Sequence, residues 1–269
     1  MIKLVAVDLD GTLLTDEMKI PAETKNLIKE VVKKQITFVI ATGRPYKTAK
    51  KVLEELEIDQ PMVLHNGSIL RDETGKLRIC REIPYETCRE IMDFCNQKQY
   101  VCSVVYGDCD RAIVNMKDDF TVAMHRTNHA TEPEISEHLT EGKEAEAVTK
   151  IIVTDEREEL IDGMLAELQA AFSEKVNVMK SGKYYIDLVP LGASKGFGVK
   201  ILAERLGIQN RQIMAVGDSG NDLSMLNFAG CAVAMANAET QVKECADHTT
   251  LSNNEQGVAA AIRKFIMNA

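Results

Sequence analysis

The stretch that decides the fold is KLVAVDLDGTLLTDE, from Lys3 to Glu17. In it the apolar run Leu4–Val7 is followed by Asp8, Asp10 and Gly11. A short apolar run bounded by a turn signal predicts a buried strand. Two carboxylates this close repel one another, so the pair is costly unless positive charge offsets it. A hard divalent cation such as Mg²⁺ would do so and would keep positions open for phosphate oxygens. We therefore expect a metal site where this strand ends.

Strand and helix patterns alternate in the first part of the chain and return near its end. The first group contains helices over Ala22–Lys34 and Tyr46–Glu57 and strands over Ile36–Ala41 and Pro61–Leu64. The second group contains, in order, Ser194–Leu206, Ile213–Val216, Asn221–Phe228, Cys231–Met235 and Gly257–Ile266. This order predicts an α/β fold with a parallel sheet and right-handed crossovers. Ligands of such sheets bind beyond the carboxyl ends of the strands.

The middle of the chain has a different pattern. Strand-like runs alternate with helical ones between residues 84 and 188, and some are spaced as hairpins, with a turn predicted at Ser181–Lys183. We expect residues 84–188 to form an α+β domain. It would be inserted into a core domain formed by residues 1–83 and 189–269.

A second acidic cluster supports the metal site. The segment VGDSGNDLSML, Val216–Leu226, follows another apolar strand and contains Asp218, Asn221 and Asp222. Because two predicted strands end in aspartates, one in each half of the core, we expect a single shared site.

Two further segments suit phosphate. IATGRP, Ile40–Pro45, offers the hydroxyl of Thr42 and the backbone N–H of Gly43 at a strand end. GASKGFG, Gly192–Gly198, places Lys195 near the start of a helix, where the helix dipole also favours anions. The pattern GxxxxGK[ST] is absent from it, which argues against an ATP-binding phosphate loop.

Together these segments resemble the four motifs of the haloacid dehalogenase superfamily in residue type, order and spacing. The motifs DxDGT, TGR, SKG and GDxxND stand at Asp8–Thr12, Thr42–Arg44, Ser194–Gly196 and Gly217–Asp222. The long insertion between the second and third motifs, with Asn66-Gly67 after the third strand, resembles the Cof-type phosphatases of that superfamily. The resemblance implies an α/β fold with a Rossmann-like parallel-sheet core and an inserted α+β cap domain of the C2 type.

The resemblance also implies roles for individual residues. Asp8 would be the nucleophile that forms an aspartyl-phosphate, and Asp10 the general acid and base. Mg²⁺ would be the cofactor, held by Asp8, the main-chain carbonyl of Asp10, and Asp218. The groups implied to bind the phosphoryl group are the N–H of Leu9 together with Thr42, Gly43, Lys195 and Asn221. Asp222 would either orient Lys195 or the waters of the metal, or serve as a charge at a helix N-terminus.

These observations predict an enzyme, a Mg²⁺-dependent phosphatase of small phosphomonoesters such as sugar phosphates. One alternative keeps the fold but makes the enzyme a phosphotransferase or phosphomutase. Another is a non-catalytic sensor of a phosphorylated metabolite. A binding protein has no need of a nucleophile, so a sensor is disfavoured by the presence of Asp8, Asp10, Lys195 and Asp218.

The composition of the chain restricts the classes of partner that we expect it to bind. The chain has 269 residues and a formal net charge of −9, which disfavours binding to nucleic acid or to an anionic membrane surface. No apolar run approaches the ~18 residues that a membrane span requires. The seven cysteines are not spaced as zinc ligands, so we expect free thiols. We expect a cytoplasmic protein, a monomer or small homo-oligomer, whose partner is a small phosphorylated metabolite.

Overall fold

A computed structural model describes residues 1–109, 111–129, 131–139 and 146–268. The strands in these residues are β1 (Leu4–Val7), β2 (Thr37–Ala41), β3 (Met62–Leu64), β4 (Ile69–Arg71), β5 (Leu77–Ile79), β6 (Val101–Tyr106), β7 (Arg111–Val114), β8 (Glu134–Ile135), β9 (Val148–Thr154), β10 (Val176–Gly182), β11 (Tyr185–Pro190), β12 (Ile213–Gly217), β13 (Cys231–Ala234) and β14 (His248–Thr249). The α-helices are α1 (Ala22–Lys33), α2 (Tyr46–Leu56), α3 (Tyr85–Lys98), α4 (Asp119–Met124), α5 (Glu158–Phe172), α6 (Lys195–Leu206), α7 (Leu223–Phe228), α8 (Thr240–Cys245) and α9 (Gly257–Ile262).

Eight strands form one sheet in the order β14-β13-β12-β1-β2-β3-β4-β5. The strands from β14 to β3 run parallel, and β4 pairs antiparallel with β3. All four residues of β1 are buried, as expected for a central strand of a parallel sheet that is covered on both faces. The predicted Rossmann-like parallel sheet is confirmed.

The register of the central strands determines which residues can meet. Val7 at the end of β1 is paired with Val216 of β12 on one side and with Ile40 of β2 on the other. The three strands are parallel, so their carboxyl ends lie at the same edge of the sheet. The loops that begin at Asp8 and Asp218 therefore start next to each other.

The second sheet has six strands in the order β10-β11-β9-β6-β7-β8. Its strand pairs are antiparallel, except that β7 and β8 run parallel. Apolar side chains of α3 and α5, among them Ile91 and Leu168, pack with Val104 and Val153 of the sheet to form a buried core. This architecture confirms the predicted α+β character of the middle segment.

The chain divides into two compact units. One consists of Met1–Thr42, Lys50–Arg78 and Ser194–Ala269, and the other of Gly43–Ala49 and Ile79–Ala193. The domain limits predicted from the sequence, 1–83 with 189–269 and 84–188, stay a prediction.

Three of the element limits predicted above differ from the structure by two residues or more, and several others differ by one. The hairpin turn lies at residues 183–184, because β10 continues to Gly182. Helix α7 begins at Leu223, because Gly220–Asp222 form a tighter 3₁₀ turn. Helix α9 ends at Ile262, and a wider turn follows it over Arg263–Met267.

Two further observations concern the described part of the chain. None of its helices is both long enough and apolar enough to cross a bilayer. All seven cysteines fall within it, and all are free thiols.

Candidate active site

The loop after β1 turns back on itself directly beyond the sheet. Leu13 N–H donates to the Asp8 carbonyl at 3.2 Å, and Leu14 N–H donates to the Leu9 carbonyl at 2.9 Å. Gly11 has a φ of +77°, and a Cβ atom there would lie 2.6 Å from Asp218 Oδ2. Only glycine fits this position without strain, because the backbone is left-handed and the carboxylate is close.

Lys195 brings three segments of the chain together. It is the first residue of α6, which is capped by the hydroxyl of Ser194. Its Nζ donates to Asp8 Oδ1 at 2.6 Å, to Asp222 Oδ1 at 2.6 Å and to Asn221 Oδ1 at 3.0 Å. An ammonium group has three hydrogens, so each of them has a partner. The side chain is only 1% exposed, so these contacts are shielded from water.

Asp222 accepts hydrogen bonds both from Lys195 and from the loop that follows β12. Its second oxygen, Oδ2, accepts hydrogen bonds from the backbone N–H groups of Asp218 at 2.9 Å and Ser219 at 3.1 Å. Ser219 Oγ lies 2.8 Å from Asn221 Oδ1 and donates to it. Both oxygens of the buried Asp222 carboxylate therefore accept hydrogen bonds from the protein.

Asp218 completes a cluster of three carboxylates. Thr12 Oγ1 donates to Asp218 Oδ1 at 2.6 Å. Asp8, Asp218 and Asp222 each offer an oxygen such that all three lie within 4.8 Å of one another. Three carboxylates thus lie close together, and two of them, Asp8 and Asp222, contact the ammonium of Lys195.

The pKa values reflect this excess of negative charge. Burial, followed by the neighbouring Asp222 carboxylate, raises the pKa of Asp8 well above its usual range, although Lys195 opposes the shift. Burial also raises the pKa of Asp218 to about 6, although the hydrogen bond from Thr12 opposes the shift. Burial alone would lower the pKa of Lys195, but Asp222 and Asp8 raise it above its ordinary value. A cluster of carboxylate oxygens that is short of positive charge fits a hard divalent cation.

The structure places the other candidate residues as follows. Leu9 is fully buried directly after Asp8. Thr42 is buried at the end of β2, where its N–H donates to the Val63 carbonyl at 2.9 Å. Asp10 is exposed. Gly43 begins the segment that is grouped with the second unit. Side-chain hydrogen bonds thus connect Lys195 with Asp8, Asn221 and Asp222. Asp218 joins this group through its backbone N–H, which donates to Asp222 Oδ2.

Sequence reasoning missed three residues that contact this cluster. The Thr12 hydroxyl donates a hydrogen bond to Asp218, and the Ser219 hydroxyl donates one to Asn221. Asn66 Oδ1 accepts a hydrogen bond from Asn221 Nδ2 at 3.3 Å. Thr12 and Ser219 lie inside two of the motifs, and this position is a sequence signal that they belong to the site. For Asn66 the signal was its position before Gly67, just beyond a predicted strand end.

Comparisons with known proteins found relatives that match nearly the whole chain. The sequence profile described as haloacid dehalogenase-like hydrolase matches residues 5–262. A protein of Streptococcus pyogenes serotype M6 is 33% identical over 273 residues, which cover 99% of each chain. A 5-amino-6-(5-phospho-D-ribitylamino)uracil phosphatase of Bacillus subtilis is 30% identical over 99% of this chain and 96% of its own length. The solved structure of a haloacid dehalogenase-like hydrolase from B. subtilis, 26% identical, superposes with a TM-score of 0.84 over 98% of this chain and all of that one.

Proposed function

The chain belongs to the haloacid dehalogenase-like hydrolase family, and we propose that it is a Mg²⁺-dependent phosphatase of small phosphomonoesters. The observation that carries this proposal is the contact between Asp8 Oδ1 and Lys195 Nζ at 2.6 Å, within a cluster of three carboxylates. A nucleophile, a cation beside it and a set of metal ligands are the parts that phosphoryl transfer requires.

We propose Asp8 as the nucleophile. Its carboxylate oxygen attacks the phosphorus, the bond to the leaving oxygen breaks, and Asp10 gives that oxygen a proton. The product of this step is an aspartyl-phosphate. Asp10, now ionised, takes a proton from a water molecule that attacks the phosphorus. Inorganic phosphate leaves, and the Asp8 carboxylate and the Asp10 proton are restored.

The phosphoryl group carries negative charge, so it needs donors around it. Asn221 supplies a donor from the cluster, and Thr42 supplies a hydroxyl. For Lys195 we propose that the hydrogen that Asp8 accepts in the free protein passes to a phosphoryl oxygen when the ester binds. We propose the N–H groups of Leu9 and Gly43 as further donors. Because the transition state spreads charge over the phosphoryl oxygens, fixed donors stabilise it with little reorganisation.

The residues that would hold Mg²⁺ are Asp8, Asp218 and the main-chain carbonyl of Asp10. When bound, the ion supplies the positive charge that the carboxylates and the phosphoryl oxygens lack. We propose that Asp222 is not a ligand. Its two oxygens are engaged by Lys195 and by the N–H groups of Asp218 and Ser219, so it orients the lysine and the loop instead.

The substrate class is proposed from a relative. The B. subtilis enzyme that is 30% identical is named for a phosphate ester on a ribityl chain, the reduced form of a sugar. We propose a small phosphorylated metabolite of this kind, a sugar or sugar-alcohol phosphate, as the substrate of this chain.

A panel of phosphomonoesters tests the proposal. The purified protein is incubated with each ester and Mg²⁺, and released inorganic phosphate is measured beside the variant Asp8→Asn. We expect the wild type to hydrolyse p-nitrophenyl phosphate and several sugar phosphates, and the variant to hydrolyse none. No hydrolysis of any ester by the wild type would overturn the proposal. Transfer of the phosphoryl group to an added sugar in preference to water would make the enzyme a phosphotransferase.

A further inference from the structure

The loop that follows β3 has an unusual backbone. His65, Asn66 and Gly67 all have left-handed conformations, with φ values of 47°, 52° and 96°. For His65 this costs about 1–2 kcal/mol, whereas asparagine adopts the conformation more readily because its short side chain can hydrogen-bond locally. His65 and Asn66 are both almost completely buried, so the conformation is imposed by packing. Strain kept in a buried loop calls for a functional explanation.

The backbone of this loop joins two other candidate segments. Asn66 N–H donates to the carbonyl of Thr42 at 3.1 Å. Gly67 packs against Ser194 so closely that a Cβ atom on it would lie 2.0 Å from the Ser194 carbonyl oxygen. Ser194 caps α6, whose first residue is Lys195. The loop is thus fixed against both the end of β2 and the start of α6.

The Asn66 side chain reaches a third segment. Asn221 Nδ2 donates to Asn66 Oδ1 at 3.3 Å, while Asn221 Oδ1 accepts from Lys195 Nζ at 3.0 Å. If the Asn221 amide were turned over, its NH₂ group would face the ammonium and its oxygen would face the oxygen of Asn66. Both contacts would be repulsive, so the donor on one side and the acceptor on the other select a single orientation.

We propose that Asn66 is a positioning residue of the phosphate site. It fixes the Asn221 amide so that one N–H points to Asn66, the other N–H serves a phosphoryl oxygen, and Oδ1 stays on Lys195. This inference rests on the proposed function, in which Asn221 binds the phosphoryl group. All the residues it uses lie in one compact unit of the chain.

The variant Asn66→Gly tests the contribution of the side chain separately from that of the backbone conformation. Glycine accepts the left-handed conformation without strain, so the fold is retained while the amide is lost. Because the hydrogen bond that Asn66 accepts from Asn221 is lost with the amide, we expect kcat/KM for p-nitrophenyl phosphate to fall roughly five- to tenfold. Competitive inhibition by inorganic phosphate should weaken by a similar factor, and the melting temperature should not fall.

A double-mutant cycle identifies the route of the effect. If Asn66 acts through Asn221, the pair Asn66→Gly with Asn221→Ala should be no slower than Asn221→Ala alone, to within about twofold. Gln35→Gly is the matched control, since Gln35 is exposed, has a φ of 61° and lies in the same unit. We expect wild-type kinetics for it.

Each remaining outcome overturns the inference. Unchanged kcat/KM and unchanged phosphate inhibition in Asn66→Gly would show that the side chain does not position the site. Additive losses in the double mutant would show that it does not act through Asn221. A melting temperature that falls in step with activity would assign Asn66 a structural role. A wild type that hydrolyses no ester would refute the proposed function and this inference together, whereas the first three results leave the proposed function intact.

Discussion

Lys195 Nζ lies 2.6 Å from Asp8 Oδ1, and the two side chains are only 1% and 5% exposed. The ammonium therefore offsets the negative charge of the Asp8 carboxylate. Burial and the neighbouring carboxylates act in the opposite direction, because they raise the pKa of Asp8 and favour its protonated form. The same ammonium contacts Asp222, so removing it leaves two buried carboxylates without their cation. This relationship makes the cluster of Asp8, Asp222 and Lys195 a determinant of stability.

The first prediction concerns Lys195→Met. Removing one partner of a buried ion pair leaves uncompensated charge, so the free energy of unfolding should fall by roughly 3–5 kcal/mol near pH 7.5. The loss should be smaller near pH 5, because Asp8 can then take up a proton. Urea unfolding at the two pH values measures it. Lys200→Met, an exposed position on the same helix, is the control and should change stability by less than about 0.5 kcal/mol. Equal effects of the two substitutions would contradict the assigned role of the ammonium.

The second prediction concerns Asp10→Asn. A general acid matters most for a poor leaving group, so the first step should slow much more with a sugar phosphate than with p-nitrophenyl phosphate. The second step, hydrolysis of the aspartyl-phosphate, lacks its general base in this variant whichever substrate is used. Rapid mixing of the variant with p-nitrophenyl phosphate should therefore give a burst of p-nitrophenol close to one per active site, followed by slow turnover. A burst that is absent, with both substrates slowed equally, would remove Asp10 from the acid role.

The third prediction concerns metal and Asp218. Burial raises the pKa of Asp218 to about 6 in the folded protein, above its value in the unfolded chain. Stability is therefore lost as the pH rises from that lower value to about 6, and the loss is complete at pH 7.5. In EDTA at pH 7.5, Asp218→Asn should therefore melt at a higher temperature than the wild type. With excess Mg²⁺ the order should reverse, because only the wild type binds the ion well. Activity should vanish in EDTA and return with Mg²⁺. A wild-type melting temperature that does not respond to Mg²⁺ would argue against the metal site.

The fourth prediction concerns His125 in the second unit. Its side chain is fully buried, and burial together with the positive charge of Lys150 lowers its pKa to about 4. Between pH 6.5 and 4 the unfolded chain takes up a proton that the folded chain does not, so stability is lost as the pH falls through this range. Relative to His125→Gln, the wild type should lose roughly 2–3 kcal/mol of unfolding free energy between pH 7.5 and pH 4. A difference that stays constant with pH would show that His125 is protonated normally in the folded state.

The parallel sheet was predictable because its signals are local. Buried strands such as Leu4–Val7 are continuous apolar runs, and glycine beside aspartate marks the places where they end. The alternation of strands and helices then requires parallel pairing, which brings strand ends together. The sequence alone therefore predicts that Asp8 and Asp218 lie at one edge of the sheet.

The contacts within the site were not predictable to the same degree. Lys195 and Asp8 are 187 residues apart in sequence, and their distance depends on how α6 packs against β2 and β3. The hydrogen bonds of Asp222 come from a 3₁₀ turn that periodicity does not reveal, since it breaks the helical pattern at Gly220–Asp222. The hairpin turn lies at residues 183–184 and not at the predicted Ser181–Lys183. The difference arises because β10 continues past Ser181 to Gly182, although serine and glycine usually favour turns.

The most direct test of the account is to trap the phosphoryl group on the nucleophile. Asp10→Asn is mixed with p-nitrophenyl phosphate and Mg²⁺, quenched in acid and reduced with borohydride, which converts an aspartyl-phosphate to homoserine. Mass spectrometry of the peptide that contains residue 8 then identifies the modified site. The account predicts homoserine at position 8 only when substrate was present, and none when Asp8 is also replaced by Asn. Release of p-nitrophenol with an unmodified Asp8, or with the modification at another residue, would contradict it.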